Sequence, residues 1–206
     1  MKASEMPKAK KITYFAILAA LVVVLQFTAS AIKIGAVTLN FVLIPIIVSG
    51  MLLGWVYGAL LGAVAGLIIL LAGVIGMDGF TNVLFAEYPV GITLVCILKT
   101  ALAGALGGIV YALLENKNKY VATYVSAAVV PVTNTGVFII GMLFMKNGLV
   151  ANGFIDGGKS ALWGICVGIV TFNFFLELAL NLLLAPAVYR AITVIDKASG
   201  KSADDE

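Results

Sequence analysis

Polar residues inside long apolar runs are where this sequence could carry chemistry. Lys99 stands within an apolar run that is otherwise uncharged, and Asn173, Glu177 and Asn181 recur at every fourth residue of another run. Residues four apart share one face of a helix. A buried ammonium suits an anionic group, while amide and carboxylate oxygens accept hydrogen bonds. Two interpretations stand: a site for a polar ligand, or a structural ion pair between Lys99 and Glu177.

Another polar group, residues 133–136, follows Pro131 and reads Thr-Asn-Thr-Gly. Proline followed by these residues predicts a local break in the helix, tolerated at membrane depth where it lines a cavity. Counted inward at about 1.5 Å per residue, this group, Lys99 and Asn173 lie at similar depths. We therefore expect one outward-opening cavity lined by Lys99, Thr133, Asn134 and Asn173.

Aromatic residues near the ends of the runs are expected to wall this cavity. Tyr88, Phe85 and Trp163 occupy such positions. A tryptophan there is also an ordinary anchor at the membrane interface, which is the other interpretation of Trp163. Asn40, just before the second apolar run, completes the predicted ligand-binding set.

Several kinds of active site are excluded by composition. The chain has no histidine, and Cys96 and Cys166 both lie in apolar runs, which removes the usual zinc sites and nucleophile–base pairs. Residues 153–160 fit the phosphate-binding pattern G-x-x-x-x-G-K-S, but no strand precedes them, so we interpret them as an outer loop. We expect no enzyme, no metal, no cofactor and no nucleic-acid partner.

The elements that must position these residues are membrane helices. The 206 residues are 62% hydrophobic and 11% charged, against about 25% charged in soluble domains. Uncharged runs of about 18 residues predict bilayer-spanning helices. The sequence predicts an all-α membrane protein, a compact bundle of six transmembrane helices in one domain, 1–190, with a polar cytoplasmic tail, 191–206. The spans are expected at 12–32, 41–53, 55–75, 90–114, 120–145 and 161–188.

The second span is short and contains Pro45, which predicts a tilted, kinked or partly re-entrant helix. Orientation follows from Lys and Arg near the spans. With six spans, both termini share one side. Three cations lie on the other side, Lys33, Lys146 and Lys159, against nine on the termini side: Lys2, Lys8, Lys10, Lys11, Lys117, Lys119, Arg190, Lys197 and Lys201. Both termini are therefore expected in the cytoplasm.

Small residues recur every fourth position on two spans. Gly54, Gly58, Gly62 and Gly66 line one face of the third span, which predicts close packing within the bundle. Ala16 and Ala20 form a similar face on the first span. Because that helix is outermost, its alanine face is open to a partner.

Together these features resemble the substrate-binding S-components of energy-coupling-factor (ECF) vitamin transporters. The resemblance rests on the small size, the six spans and the Ala16-x-x-x-Ala20 face. It also rests on the segment Leu39-Asn-Phe-Val-Leu-Ile-Pro45 at the second span, the glycines 54–66, and Pro131-Val-Thr-Asn-Thr-Gly136 on the fifth.

The resemblance implies a multi-pass protein of the bacterial plasma membrane that binds a vitamin with high affinity in an outward cavity lined mainly by the last three helices and capped by outer loops. It implies docking through Ala16 and Ala20 on a transmembrane coupling subunit driven by two ATPase subunits. The residues 133–136 and Lys99 are most similar to pantothenate-type members, with riboflavin next because aromatic residues could stack on a flat ring. The alternative is a stand-alone secondary transporter that uses Glu177 for ion coupling.

Overall fold

The computed structural model describes residues 6–29, the strands 33–34 and 37–38, and residues 41–158 and 160–201. Asn40 lies outside these described residues. The helices are α1 (Lys8–Ala29), α2 (Leu43–Leu53), α3 (Trp55–Val74), α4 (Gly79–Glu87), α5 (Pro89–Leu114), α6 (Lys119–Phe144), α7 (Lys146–Ala151), α8 (Ala161–Trp163) and α9 (Thr171–Lys201), with a π-helical segment, Gly164–Val170, between the last two. Strands β1 (Lys33–Ile34) and β2 (Val37–Thr38) pair in antiparallel register.

Five helices among the described residues are long and apolar enough to cross a membrane: α1, α3, α5, α6 and the continuous stretch Ala161–Ile195. The predicted helical membrane architecture is thus confirmed. Helix α2 has only 11 residues. At 1.5 Å per residue it spans roughly 16 Å, about half of a bilayer's hydrocarbon core. A sixth crossing, and the cytoplasmic side of the termini, therefore stay predictions.

Ring contacts and a shared groove show which helix ends lie together. Lys11 Nζ sits 5.9 Å from the centre of the Tyr57 ring. Glu115, at the end of α5, lines the same groove as those two residues. The Tyr120 and Tyr189 rings are 5.4 Å apart. We call the end of the bundle that carries these residues the termini end, and we call the opposite end, which carries α4 and α7, the loop end.

Three of the four predicted glycines, Gly58, Gly62 and Gly66, lie on α3 and pack against the backbone of α5, which agrees with the predicted packing within the bundle. Gly54 instead precedes the helix, with a φ of 100°. A Cβ on Gly62 would lie 2.2 Å from the Thr100 carbonyl oxygen, and one on Gly58 would lie 2.5 Å from that of Gly104. Only glycine allows the two backbones to approach so closely. This packing fixes the position of α5 and, with it, the depth of Lys99 (a neighbour of Thr100).

The segments expected to be loops contain helices that close the loop end. Asn82 of α4 donates from Nδ2 to the Gly73 and Val74 carbonyls at the end of α3, at 3.1 and 3.2 Å. Asn152, after α7, donates to Glu87 Oε1 at 2.7 Å. These bonds tie α4 and α7 to the spans and to each other.

The helix break expected after Pro131 is absent: α6 runs from Lys119 to Phe144 with Pro131 inside it. A proline in a helix removes one backbone hydrogen bond, and the free-energy cost of that loss falls where neighbouring residues pack around the proline. Pro131 and Asn134 are both buried. The polar group after Pro131 is therefore presented by regular helix rather than by unwound backbone.

Candidate ligand-binding site

A cavity lies between α5, α6 and the last long helix, around the middle of the spans. Its free volume in this conformation is about 30 Å³, room for a water molecule or two. Helix α5 contributes Lys99, α6 contributes Asn134, Thr135 and Phe138, and the π-helical segment with α9 contributes Ile169, Val170, Asn173, Phe174 and Glu177. This is a mixed polar and aromatic wall, suited to orienting a small polar molecule.

Lys99 places a positive charge in this cavity. Its side chain is only 6% exposed, and its Nζ lies 5.1 Å from the centre of the Phe138 ring. The face of an aromatic ring attracts an ammonium, more strongly where water is excluded. The ring therefore holds the charge toward the cavity, where an anionic group could reach it.

Asn134 faces the same cavity from α6 and is buried. Its Oδ1 has no hydrogen-bond partner among the described residues. A buried polar atom without a partner costs about 1–3 kcal/mol. A ligand group that donates a hydrogen bond to this oxygen would recover that cost.

The π-helical segment and α9 supply the remaining polar wall. At the junction, the Thr171 backbone N–H and its hydroxyl both donate to the carbonyl of Cys166, five residues earlier. After it, Asn173 and Glu177 stand one helical turn apart in the cavity. Asn181, one turn further, donates from Nδ2 to the Glu177 carbonyl at 2.7 Å. The predicted polar face of this helix is thus a buried stripe.

Aromatic rings separate the cavity from the loop end. Phe138, which lines the cavity, lies 6.0 Å from Phe80 of α4, measured between ring centres. Phe80 in turn packs edge to face on Phe154 at 4.8 Å. We call these three residues the aromatic cap, because their contacts connect the cavity wall to α4 at the loop end.

The structure brings three of the predicted binding residues to this cavity: Lys99, Asn134 and Asn173. Three others lie elsewhere. Thr133 is on α6 outside the cavity lining, where Thr135 stands instead. Trp163 is 61% exposed, and the half-buried Tyr88 packs beside Gly148 of α7. That a ligand contacts these three stays a prediction.

Sequence reasoning missed Phe138 and Phe174 as lining residues. Phe138 follows Asn134 by four residues and so shares its helix face. That spacing was a usable signal. No such spacing points to Phe174, which directly follows Asn173. Both residues face the cavity because of the rotation of α9 about its axis, which the π-helical segment sets.

The alanine face of α1 lies on the outside of the bundle. Ala16 and Ala20 are both exposed. Only 11% of the residues in this span are buried, against 50% in α3 and α5. The surface is therefore accessible to a partner.

Comparison with known families identifies the chain. The family model for the substrate-specific component of the ECF transporter matches residues 10–189. The protein therefore belongs to the family of ECF transporter substrate-specific components, which confirms the resemblance drawn from the sequence. Comparisons with individual curated proteins and with solved structures gave no match.

Members of this family are substrate-binding subunits in membrane transport, not enzymes, and they work with membrane and ATPase modules of the ECF system. The family assignment does not favour the stand-alone secondary transporter that Glu177 had suggested.

Proposed function

We propose that this protein is the high-affinity binding subunit for a small water-soluble vitamin that carries a carboxylate. Pantothenate is favoured. The observation that carries the proposal is the Lys99 ammonium, buried in the cavity beside Asn134. The substrate is expected to bind between α5, α6 and α9, where the cavity has to widen from its volume of about 30 Å³ and to open to the outside of a bacterial plasma membrane.

A carboxylate suits this site for an energetic reason. A buried charge is costly unless an opposite charge or strong hydrogen bonds compensate it. Hydrogen bonds between an ammonium and a carboxylate are roughly twice as strong as neutral ones. The Phe138 ring, 5.1 Å from Lys99 Nζ, supports the charge when no ligand is bound.

Riboflavin is the second candidate, and the observation in its favour is aromatic. Phe138 and Phe174 line the cavity and offer faces for a flat ring. Riboflavin has no carboxylate, so its binding would use the amides rather than the charge of Lys99. The dependence of binding on Lys99 therefore separates the two vitamins.

For transport we propose that the protein docks on a transmembrane coupling subunit driven by two ATPase subunits. The exposed face with Ala16 and Ala20 is the proposed contact. Small residues let helices approach closely in lipid, where no hydrophobic force brings them together.

Lys99→Met should weaken pantothenate binding by about 10- to 100-fold, because a charge-assisted hydrogen bond contributes about 1.5–3 kcal/mol. Methionine keeps the apolar stem of the side chain in place. Equilibrium binding of labelled pantothenate to purified protein measures the effect, and mass spectrometry of co-purified small molecules provides an independent identification.

Lys146→Ala is the matched control, since Lys146 is an exposed cation at the loop end. It should leave affinity within about twofold. If Lys99→Met reduced folded yield and binding equally, a structural ion pair would explain Lys99 instead. Wild-type protein without saturable binding of any common water-soluble vitamin would refute the proposal.

Phe80→Leu should speed dissociation of the bound vitamin several-fold, because it removes the ring contacts of the aromatic cap. Stopped-flow or filter-binding dissociation rates measure it. Phe144→Leu, at an exposed ring at the end of α6 and outside the cavity lining, is the control and should leave the rate unchanged. An unaltered rate in Phe80→Leu would show that ligands leave by another route.

A further inference from the structure

We propose that a groove at the termini end binds the headgroup of an ethanolamine phospholipid. Lys11 holds the lipid phosphate, and Glu115 holds the ammonium of the ethanolamine. None of the groove residues lines the ligand cavity between α5, α6 and α9. The inference therefore goes beyond the proposed function and does not depend on which vitamin is bound.

The groove lies between α1, the junction of α2 with α3, and the end of α5. Its free volume is about 410 Å³, inside the roughly 300–1,000 Å³ of typical small-molecule sites. Its floor contains three glycines, Gly50, Gly54 and Gly108. A Cβ on Gly108 would lie 2.7 Å from Trp55 Cα, so the helix backbones meet directly. Backbone rather than side-chain rotamers sets the shape of the floor, and the space is preformed.

Opposite charges line this groove without neutralising each other. Lys11 and Glu115 both border the space, and neither forms an ion pair among the described residues. The contact of the Lys11 Nζ is with the Tyr57 ring, 5.9 Å from its centre. An ammonium carries three N–H donors and a carboxylate accepts several hydrogen bonds. A ligand with both a phosphate and an ammonium is complementary to this pair of charges.

The groove also lies at the level where a membrane meets water. Lys11 and Tyr57 are near the starts of the spans α1 and α3, and Glu115 directly follows the span α5. Trp55 lines the groove and is 52% exposed, and tryptophan is enriched at membrane–water interfaces. Phospholipid headgroups occupy this level, and basic pockets between transmembrane helices bind them. The bilayer itself therefore supplies the occupant.

The lipid groove and the alanine face lie on different sides of α1. Phe15, one turn after Lys11, packs edge to face on Tyr57 at 6.1 Å between ring centres. Ala20 follows Lys11 by about two and a half turns, which places it on the opposite side of the helix. A partner that docks on the alanine face does not by itself cover the groove.

Glu115 is the residue that selects among phospholipids. Every phospholipid offers Lys11 a phosphate, and charge-assisted hydrogen bonds of this kind are strong. The primary ammonium of ethanolamine donates hydrogen bonds to a carboxylate, whereas the choline nitrogen has no N–H to donate. A glycerol headgroup has no cation, so the phosphate charge of that lipid is left uncompensated beside Glu115. Ethanolamine is therefore the preferred headgroup.

Native mass spectrometry of the full-length protein in detergent tests this preference. The probes are phosphatidylethanolamine, phosphatidylcholine and phosphatidylglycerol with identical acyl chains. The association constant for the first bound lipid should be about five- to tenfold higher for phosphatidylethanolamine than for the other two, the effect of one or two added hydrogen bonds. Equal constants would mean non-specific lipid only and would overturn the inference. This comparison uses the wild-type chain, so it does not depend on the folding of a variant.

Two variants assign the preference to the groove. Lys11→Met should weaken all three lipids, because it removes the partner of their common phosphate. Glu115→Gln should weaken phosphatidylethanolamine to the level of phosphatidylcholine and should leave phosphatidylglycerol unchanged or tighter. Lys8→Met is the matched control, since Lys8 is an exposed cation on the same helix outside the groove lining.

Lipid constants in Lys11→Met and Glu115→Gln that equal those of Lys8→Met would place the lipid elsewhere and refute the proposal. A second measurement follows the coupling subunit in the purified complex. If both variants released that subunit while lipid binding stayed at the wild-type level, the groove would be a protein contact instead.

Discussion

Replacing Ala16 and Ala20 together with leucine is expected to abolish transport while substrate binding remains intact. Both alanines are exposed on α1, and the residues one turn away on either side, Ile12 and Val24, are exposed as well. The small side chains leave space beside this face for a partner helix. Two leucine side chains would fill this space and hold a partner helix away. The two helices should then fail to associate, because packing is the main source of helix association in lipid.

Uptake of labelled pantothenate into cells or liposomes that contain the complete transporter measures the loss of transport. Binding to the purified subunit measures whether substrate affinity is retained. Leucine at Ala179 and Ala187, two exposed alanines of α9, is the matched double control and should transport normally. Transport at wild-type rates by the Ala16/Ala20 variant would show that coupling uses another surface.

Gly62→Ala should cause a large loss of folded protein, although it adds only one methyl group. The new Cβ would lie 2.2 Å from the Thr100 carbonyl oxygen and 2.8 Å from Ala101 Cα, both backbone atoms that cannot rotate away. Helices α3 and α5 would have to separate. We expect a cost of about 3 kcal/mol or more, at the upper end for overpacked cores.

The fraction that remains monodisperse after heating in detergent measures this cost. Gly136→Ala is the control: it adds the same methyl inside α6, where nothing lies within 4 Å of the new Cβ. Alanine also favours a helix over glycine, so this variant should be as stable as wild type. Equal stability of the two variants would contradict the close packing of α3 on α5.

Much of the fold could be predicted because charge and proline interrupt the apolar runs where helices end. The expected span 90–114 compares with α5 at Pro89–Leu114, and 120–145 with α6 at Lys119–Phe144. The short helices α4 and α7 were not predicted, since nine and six residues give too little periodicity. Their formation depends on tertiary contacts such as the bond from Asn152 to Glu87.

For the site, the depth of each residue along its helix could be predicted, but the side of the helix that faces the cavity could not. Counting residues from the helix ends placed Lys99, Asn134 and Asn173 at one level, and all three line the cavity. Which side of a helix faces inward depends on its rotation against its neighbours. Thr133 and Thr135 flank Asn134 symmetrically in sequence, and only packing selects Thr135.

The π-helical segment Gly164–Val170 has a consequence for how a transporter subunit of this kind could acquire a new cargo. Because a π-helix winds more residues into each turn than an α-helix, its length sets the rotation of everything that follows. Losing or gaining one residue there would turn Asn173, Glu177 and Asn181 away as a unit and present a different strip of α9. Cargo preference can thus change through an insertion or deletion at residues 164–168, which do not line the cavity, while every lining residue keeps its identity.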